Sequence, residues 1–352
     1  MNLTYNYTAS STGAFGLGTT AGNSGELVAV SPGSTIAGAA RDETFTYDDV
    51  GRLVTAAGWG AWQRSYTYDR EGNRTGEGNT TSPGTQLQSI SIATNTFSST
   101  AFGTTSGPNN RIASVNGATY QYDASGNLTS DGVHTYQYDA EGRLAVVDHG
   151  IPGQEADYSY DVNNWRVKKV TSVGGPSPVT TYYVWESGRV IAEYGTAAPS
   201  NNGVRYYHPD QLSNRVITDT NAAVIGTEDT LPFGEDAGAT SGAGLSDPYR
   251  FTDYNRDPES STDYAVNRQY SSSTGRFMRP DPVVGTVLNP QTLNRYSYCA
   301  SDPINKSDAD GSYPRDQHEF ITFVMAALLD VPGAGTIAEG AGDADNWLHA
   351  TT

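Results

Sequence analysis

The chain has 352 residues, with 39 acidic against 21 basic side chains and a net charge of −18. That balance argues against nucleic acid or an anionic membrane as the main partner, because both need clustered positive charge. Hydrophobic content is only 36%, while 23 tyrosines and 39 glycines point to a hydrogen-bonded, partly wet interior rather than a dense α/β enzyme core.

Residues 1–40 are rich in Ser, Thr, Gly and Ala and read as an irregular lead-in or a degenerate repeat. The N-terminus, Met1-Asn2-Leu3-Thr4-Tyr5, has neither the charged nor the apolar region of a signal peptide. From residue 41 a pattern recurs: an aromatic, any residue, a tyrosine, an aspartate, then a glycine three residues later. Its copies are Phe45-Thr46-Tyr47-Asp48 with Gly51, Tyr66-Thr67-Tyr68-Asp69 with Gly72, Tyr120-Gln121-Tyr122-Asp123 with Gly126, and Tyr136-Gln137-Tyr138-Asp139 with Gly142. In Tyr158-Ser159-Tyr160-Asp161, Asn164 takes the glycine position.

Aromatics two residues apart share one face of a strand. Asp-x-x-Gly suits a tight turn, where the carboxylate caps the backbone and glycine accepts a positive φ; Asn tolerates the same region. Each copy therefore predicts a β-hairpin with a tyrosine-lined arm. The aspartates fall unevenly, at 48, 69, 123, 139 and 161, which suits hairpins appended to a curling sheet better than a solenoid of fixed rise.

Residues 80–119 read as irregular strands, and 120–195 as three repeats plus a degenerate one at Tyr182-Tyr183-Val184-Trp185 with Gly188-Arg189. Arg205, Arg250, Arg268, Arg276 and Arg279 are expected to form arginine–carboxylate pairs that fix loops. The one cysteine, Cys299, allows no internal disulfide and reads as a small packed residue. Helical periodicity begins only at Asp316, with Phe320, Phe323, Val324, Ala327 and Leu328, ending near Asp330; a second short helix is expected around Ile337–Trp347. The longest apolar run, Phe320 to Leu329, is too short to span a bilayer, so no membrane anchor is expected.

The repeats resemble the YD repeats of Rhs and teneurin-type proteins, and residues 204–311 resemble the Rhs repeat-associated core. The second resemblance rests on Val204-Arg205-Tyr206-Tyr207-His208-Pro209-Asp210-Gln211-Leu212, Leu231-Pro232-Phe233-Gly234-Glu235, Asn267-Arg268-Gln269-Tyr270, Thr274-Gly275-Arg276-Phe277, Asp281-Pro282 and Asn294-Arg295-Tyr296-Ser297-Tyr298. It implies a mainly β fold with four parts: a lead-in (1–40), YD-repeat hairpins (41–203), the core (204–311), and a short helical tail (312–352). The hairpins would spiral into a partial hollow shell that encapsulates a C-terminal effector, truncated here, in a C-terminal fragment of a longer secreted or cell-surface bacterial protein. Its partners would be that effector segment, an immunity protein and secretion machinery.

The resemblance also implies two alternatives. One is a teneurin-like surface module that binds proteins or glycans. The other is aspartyl self-cleavage near residue 311, with Asp281 and Asp308 as the catalytic pair, because two carboxylates can act as base and acid for water attack on a peptide bond. The chain departs from the cleaving pattern: Ala309 replaces a proline, and Ser312-Tyr313 replaces a leucine. Both aspartates equally suit turn caps. No cofactor is expected. No metal site is expected either, since His318-Glu319 lacks a histidine at 322, where Thr322 stands.

Overall fold

The Asp-x-x-Gly segments fold as predicted, and the aspartate is the reason. At the first, Asp48 Oδ1 accepts the backbone N–H groups of Val50 and Arg52 at 3.1 and 3.0 Å. Gly51 N–H closes the turn onto the Asp48 carbonyl at 3.0 Å, with φ at +79°. Asp69, Asp123, Asp139 and Asp161 close the same backbone loop, and Asn164 takes φ +66° in the last. Each turn adds a residue to one arm, so the register shifts just before it, as between Thr46 and Tyr47.

The computed structural model describes residues 3–6, 26–32, 42–58, 62–79, 86–99, 103–186, 188–196, 204–209, 212, 215–237, 248–282, 285, 290–312 and 315–316. It is mainly β and antiparallel, and strand order follows chain order throughout. A nine-stranded meander runs from Leu3–Asn6 to Ala118–Thr119, followed by the pair Gln121–Tyr122 and Leu128–Ser130, then a six-stranded meander from Tyr136–Tyr138 to Arg189–Gly195. Tyr120 joins the first two, and a Ser130–Thr135 bridge joins the second to the third. No closed barrel forms among the described residues, which is the architecture of a partial shell wall.

Two expectations sharpen. The lead-in contributes strands, since Leu3–Asn6 pairs with Ala29–Pro32, and that strand pairs in turn with Glu43–Tyr47. Residues 80–119 hold two long strands, Gln86–Ser99 and Gly103–Val115. The helical tail is a different matter. Asp316 ends a two-residue strand, Arg315–Asp316, paired with Lys306–Ser307, and the helices expected beyond it lie outside the described residues. Among the described residues no helix is long and apolar enough to cross a membrane.

Side chains staple successive hairpins together. In four of the five repeats the second aromatic donates a hydrogen bond to a backbone carbonyl earlier in the wall, which in three of them lies five residues after the previous turn's aspartate; Tyr122 instead accepts the Ile112 N–H at 3.1 Å. Tyr47 reaches Leu27 at 2.7 Å, Tyr138 reaches Leu128 at 2.8 Å, and Tyr160 reaches Leu144 at 2.7 Å. In the degenerate repeat, Trp185 Nε1–H does the same to Arg166 at 2.8 Å. Burial pushes the Tyr138 and Tyr160 hydroxyls far above their usual range, so they stay protonated and able to donate. Arg52 and Arg143 add a second staple, each donating to the carbonyl of the next turn's aspartate, Asp69 at 2.8 Å and Asp161 at 2.9 Å.

The first aromatics (Phe45, Tyr66, Tyr136, Tyr158) and the post-turn leucines (Leu53, Leu128, Leu144) are buried. They pack against residues 212–304, above all Phe233, Phe251, Tyr254, Tyr270, Phe277 and Tyr298 in one cluster, and Met278 in another. A three-stranded meander leads into that segment, Tyr206–Pro209, Arg215–Thr218 and Val224–Glu228, and its Asp219 turn copies the repeat turn with Ala222 at φ +60°. A four-stranded sheet follows, from Asn255–Asp257 to Arg276–Phe277.

The segment lies along the row of repeat turns. Ser301 Oγ donates to Gly72 O at 3.4 Å, Tyr296 Oη to Gly126 O at 2.8 Å, Arg279 Nη1 to Gly142 O at 2.6 Å, and Tyr264 Oη to Asn164 O at 2.6 Å. At its far end Asn305 Oδ1 accepts the Leu27 N–H at 2.7 Å. Wall and core are thus one packed body.

Candidate active site

Asp281 and Asp308 lie 27 positions apart in the chain, and the fold brings both to one guanidinium. Arg268 Nη2 sits 2.9 Å from Asp281 Oδ2 and 3.1 Å from Asp308 Oδ2. Arg268 projects from the strand Arg268–Ser271, and its guanidinium carbon lies 3.5 Å from the centroid of the Phe277 ring, a cation–π contact. Asp281 sits in the loop that follows Arg276–Phe277, where its N–H donates to Arg295 O at 2.7 Å and its carbonyl accepts Arg295 Nε at 2.6 Å. Asp308 follows the strand Lys306–Ser307, and its carbonyl accepts the Tyr254 hydroxyl. Side-chain exposure is 2% for Arg268, 1% for Asp308 and 15% for Asp281, so only Asp281 faces water appreciably.

The backbone around residue 311 is held in the same place. Arg268 Nε donates to the Gly311 carbonyl. Asp308 Oδ1 accepts the Ser312 N–H at 3.0 Å, and Asn267 N–H donates to Asp310 O at 2.9 Å. Gly311 has φ +72°, and a Cβ there would meet the Ala265 carbonyl at 2.6 Å, so only glycine fits. Burial raises the neighbouring Tyr254 and Tyr298 hydroxyls and the Cys299 thiol well above their usual ranges, leaving Cys299 a protonated core residue.

The arrangement puts two carboxylates, a cation and one peptide bond together. It differs from a pair of carboxylates sharing a proton directly, because the common neighbour of the two is a guanidinium. The Asp308–Ser312 contact is also the bond a turn-capping aspartate makes. Sequence reasoning named both aspartates and missed that Arg268 joins them. The motif Asn267-Arg268-Gln269-Tyr270 marked the residue without marking its partner.

The other arginines divide. Arg250 pairs with Asp236 at 2.7 Å, as expected. Arg276 and Arg279 instead donate to oxygens of the turns, Arg276 to Asn73 Oδ1 and Asn110 O, Arg279 to Glu141 O and Gly142 O. The turn carboxylates that could have paired with them are already taken up by the backbone N–H groups of their own turns. His208 Nε2 lies 3.1 Å from Thr218 Oγ1 across its hairpin, and His318-Glu319 lies outside the described residues. No cluster of three metal-ligating side chains occurs among the described residues.

Two further buried charges went unpredicted. Five residues after the aspartate, where three repeats place leucine, the other two place Arg74 and Arg166. Arg166 donates to both Asp257 oxygens at 2.8 and 2.7 Å, inside a cage of Tyr158, Tyr183 and Tyr264. Arg166 and Lys169 hold the Asp257 carboxyl below the usual range, although burial pushes it up. Arg74 lies over the Phe233 ring and reaches Ser273 O at 2.6 Å and Glu235 at 3.5 Å.

Residues 24–176 match the protein family described as Teneurin YD-shell. The chain is 26% identical over 225 residues to the tRNA3(Ser)-specific nuclease WapA of Bacillus spizizenii, a match covering 58% of this chain and 10% of that protein. It is 25% identical over 226 residues to the tRNA nuclease WapA of Bacillus subtilis, again 58% of this chain and 10% of the relative. Among solved structures, TcdB2-TccC3 shares the fold with a TM-score of 0.51 at 16% identity, over 82% of this chain and 18% of that one. The Photorhabdus luminescens Tc holotoxin pore does so with a TM-score of 0.51 at 16% identity, over 83% of this chain and 18% of that one. The chain thus spans about a tenth of the length of these curated relatives.

Proposed function

We propose that this chain, whose residues 24–176 match the Teneurin YD-shell family, forms part of a container wall enclosing a C-terminal effector. The observation that carries this reading is the repeated staple, in which a hairpin's second aromatic binds the backbone of the hairpin before it. Such a wall grows by adding hairpins, and its ladder hydrogen bonds leave free edges only at its ends. The turn row is covered by Tyr264, Arg279, Tyr296 and Ser301, so this rim is sealed by the chain itself. In this reading the partners are the chain's own C-terminal effector segment, an immunity protein and secretion machinery, and the protein acts outside the cell that makes it.

Protease protection tests it on the full polypeptide that contains this chain. Proteinase K should spare the segment after residue 312 while the wall is native and digest it once mild urea opens the wall. Digestion at the same rate in both conditions overturns encapsulation.

A second reading, self-cleavage, is favoured by the meeting of Asp281 and Asp308 on Arg268 beside Gly311. Asp281, the more exposed carboxylate, would activate water, and Asp308 would orient the bond. Chain that stays full length for days between pH 5 and 8 rejects it, as does cleavage unaltered by Asp308→Asn.

A further inference from the structure

We propose that Glu77 and Glu235 share one buried proton across the seam between wall and core, and that losing it lets the core loop at residues 231–236 come off the wall. The proposal rests on how the core packs against the wall and is independent of both the container and the self-cleavage readings. Glu77 lies on the wall strand Arg74–Gly78 and Glu235 on the core loop, and their carboxyls are within hydrogen-bonding reach of each other. Two carboxylates are acceptors only, so that contact needs a proton between them. The cations nearby do not replace it. Arg64 Nε stands 2.7 Å from Glu77 Oε1. Arg74 Nη2 donates to Ser273 O at 2.6 Å and Gln88 Oε1 at 3.1 Å, and the guanidinium stays 3.5 Å from Glu235 Oε1 and 3.8 Å from Glu77 Oε2. Glu235 Oε2 is buried and meets no donor among the described residues, which makes it the oxygen that carries the proton. Tyr66 and Tyr270 also face this carboxyl, and burial keeps both hydroxyls protonated; Asp236 is engaged by Arg250 at 2.7 Å. The Glu235 side chain is 20% exposed against 8% for Glu77, which gives the proton its way to solvent.

Burial raises the Glu235 carboxyl to about 7, with Arg74 opposing the rise and Glu77 adding to it. The proton is therefore held in mild acid and released as pH passes that value. Release sets two negative charges side by side at the seam, where little water screens them. The strand that bears Glu77 is paired on both sides, so the loop that bears Glu235 is the partner that yields. Phe233 goes with it. Its ring meets Tyr66 edge-on with centroids 5.0 Å apart and lies 4.9 Å from the Arg74 guanidinium carbon, so its withdrawal uncovers the second repeat. The seam is closed in mild acid and loosened above neutrality.

The test unfolds the full chain in urea at a series of pH values from 5 to 8.5, beside Glu235→Gln and Glu77→Gln, whose amides donate a hydrogen bond at every pH. Relative to either variant, the folded-to-unfolded ratio of the wild type should fall about tenfold per pH unit until the proton is lost. A wild-type slope equal to that of both variants overturns the shared proton. A slope removed by Glu235→Gln but kept by Glu77→Gln assigns the proton to Glu235 alone and overturns the sharing. Release of the loop is read separately, by fluorine NMR of chain labelled with 4-fluorophenylalanine, the Phe233 resonance being identified by its absence from Phe233→Tyr. It should shift between pH 6 and 8 in the wild type and hold still in Glu235→Gln. A resonance that holds still in the wild type overturns the release, and that titration decides the point even where a glutamine variant misfolds.

Discussion

The Tyr68 hydroxyl donates to the carbonyl oxygen of Leu53, one hairpin earlier, at 2.7 Å, while the Arg52 guanidinium carbon lies 4.9 Å from the centroid of the same tyrosine ring. One side chain thus ties two repeats through hydrogen bond, packing and charge at once. Tyr68→Phe keeps the ring and leaves the Leu53 carbonyl without its donor, which should cost about 1–3 kcal/mol. Tyr68→Ala also removes the packing and should cost more, about 3–5 kcal/mol. Urea unfolding followed by tyrosine and tryptophan fluorescence measures both, and equal stability of Tyr68→Phe and wild type would count against the staple.

Arg166 stands where other repeats carry leucine, and its charge is matched by Asp257, which is wholly buried. Arg166→Leu alone leaves the buried carboxylate to Lys169, at 3.0 Å, and Gln269, at 2.9 Å, and should destabilise by about 3–5 kcal/mol. Combining it with Asp257→Asn should recover a large part of that loss, because a buried pair replaced by neutral groups is often close to neutral overall. A double-mutant cycle in urea reads the coupling. Additive losses would mean that the two residues act separately.

Burial, with the nearby Glu77 carboxyl, pushes Glu235 up to about 7, and the Arg74 guanidinium only partly offsets this. The folded state therefore holds a proton that the unfolded chain has lost. This contribution to stability is complete below the ordinary glutamate range and declines as pH rises toward 7, after which it is gone. The groups around it are Arg74, Glu77, Tyr66 and, through Glu77, Arg64. Amides of residues 231–237 should exchange hydrogen faster at pH 8 than at pH 5 once intrinsic rates are removed. In Glu235→Gln that difference should shrink, and an unchanged difference would place the titration elsewhere.

Gly311→Ala forces a Cβ toward the Ala265 carbonyl in a left-handed backbone. The expected cost is about 1–3 kcal/mol, with loosening confined to residues 306–312, visible as new cleavage by trypsin after Lys306. A tryptic pattern identical to wild type would show that the segment is not held as described.

The hairpins were legible because their determinants are local. Aspartate, glycine and two aromatics lie within seven residues, and Asp48, Asp69, Asp123, Asp139 and Asp161 all shape their turns by contacts no more than four residues away. The Asp219 turn escaped notice because Ala222 stands in the left-handed position, a residue type that gives no such signal. The core's seat on the turn row was not legible, since bonds such as Tyr296 to Gly126 join residues 170 positions apart. Asp281 and Asp308 were nameable from motifs. Their convergence on Arg268 was not, because it depends on where a separate sheet sets the arginine.

Strand order that follows chain order has a consequence for synthesis. A polypeptide leaving the ribosome can lay down each hairpin on its predecessor without waiting for distant sequence, which keeps loop-closure costs small at every step. Bonds to the core are the exception: the Leu27 amide finds its acceptor only when Asn305, 278 residues later, has been made. Until the core residues that cover them have been made, the apolar flanks of the finished hairpins stay exposed, so termination ahead of Phe233 should yield a chain rich in sheet and prone to aggregate.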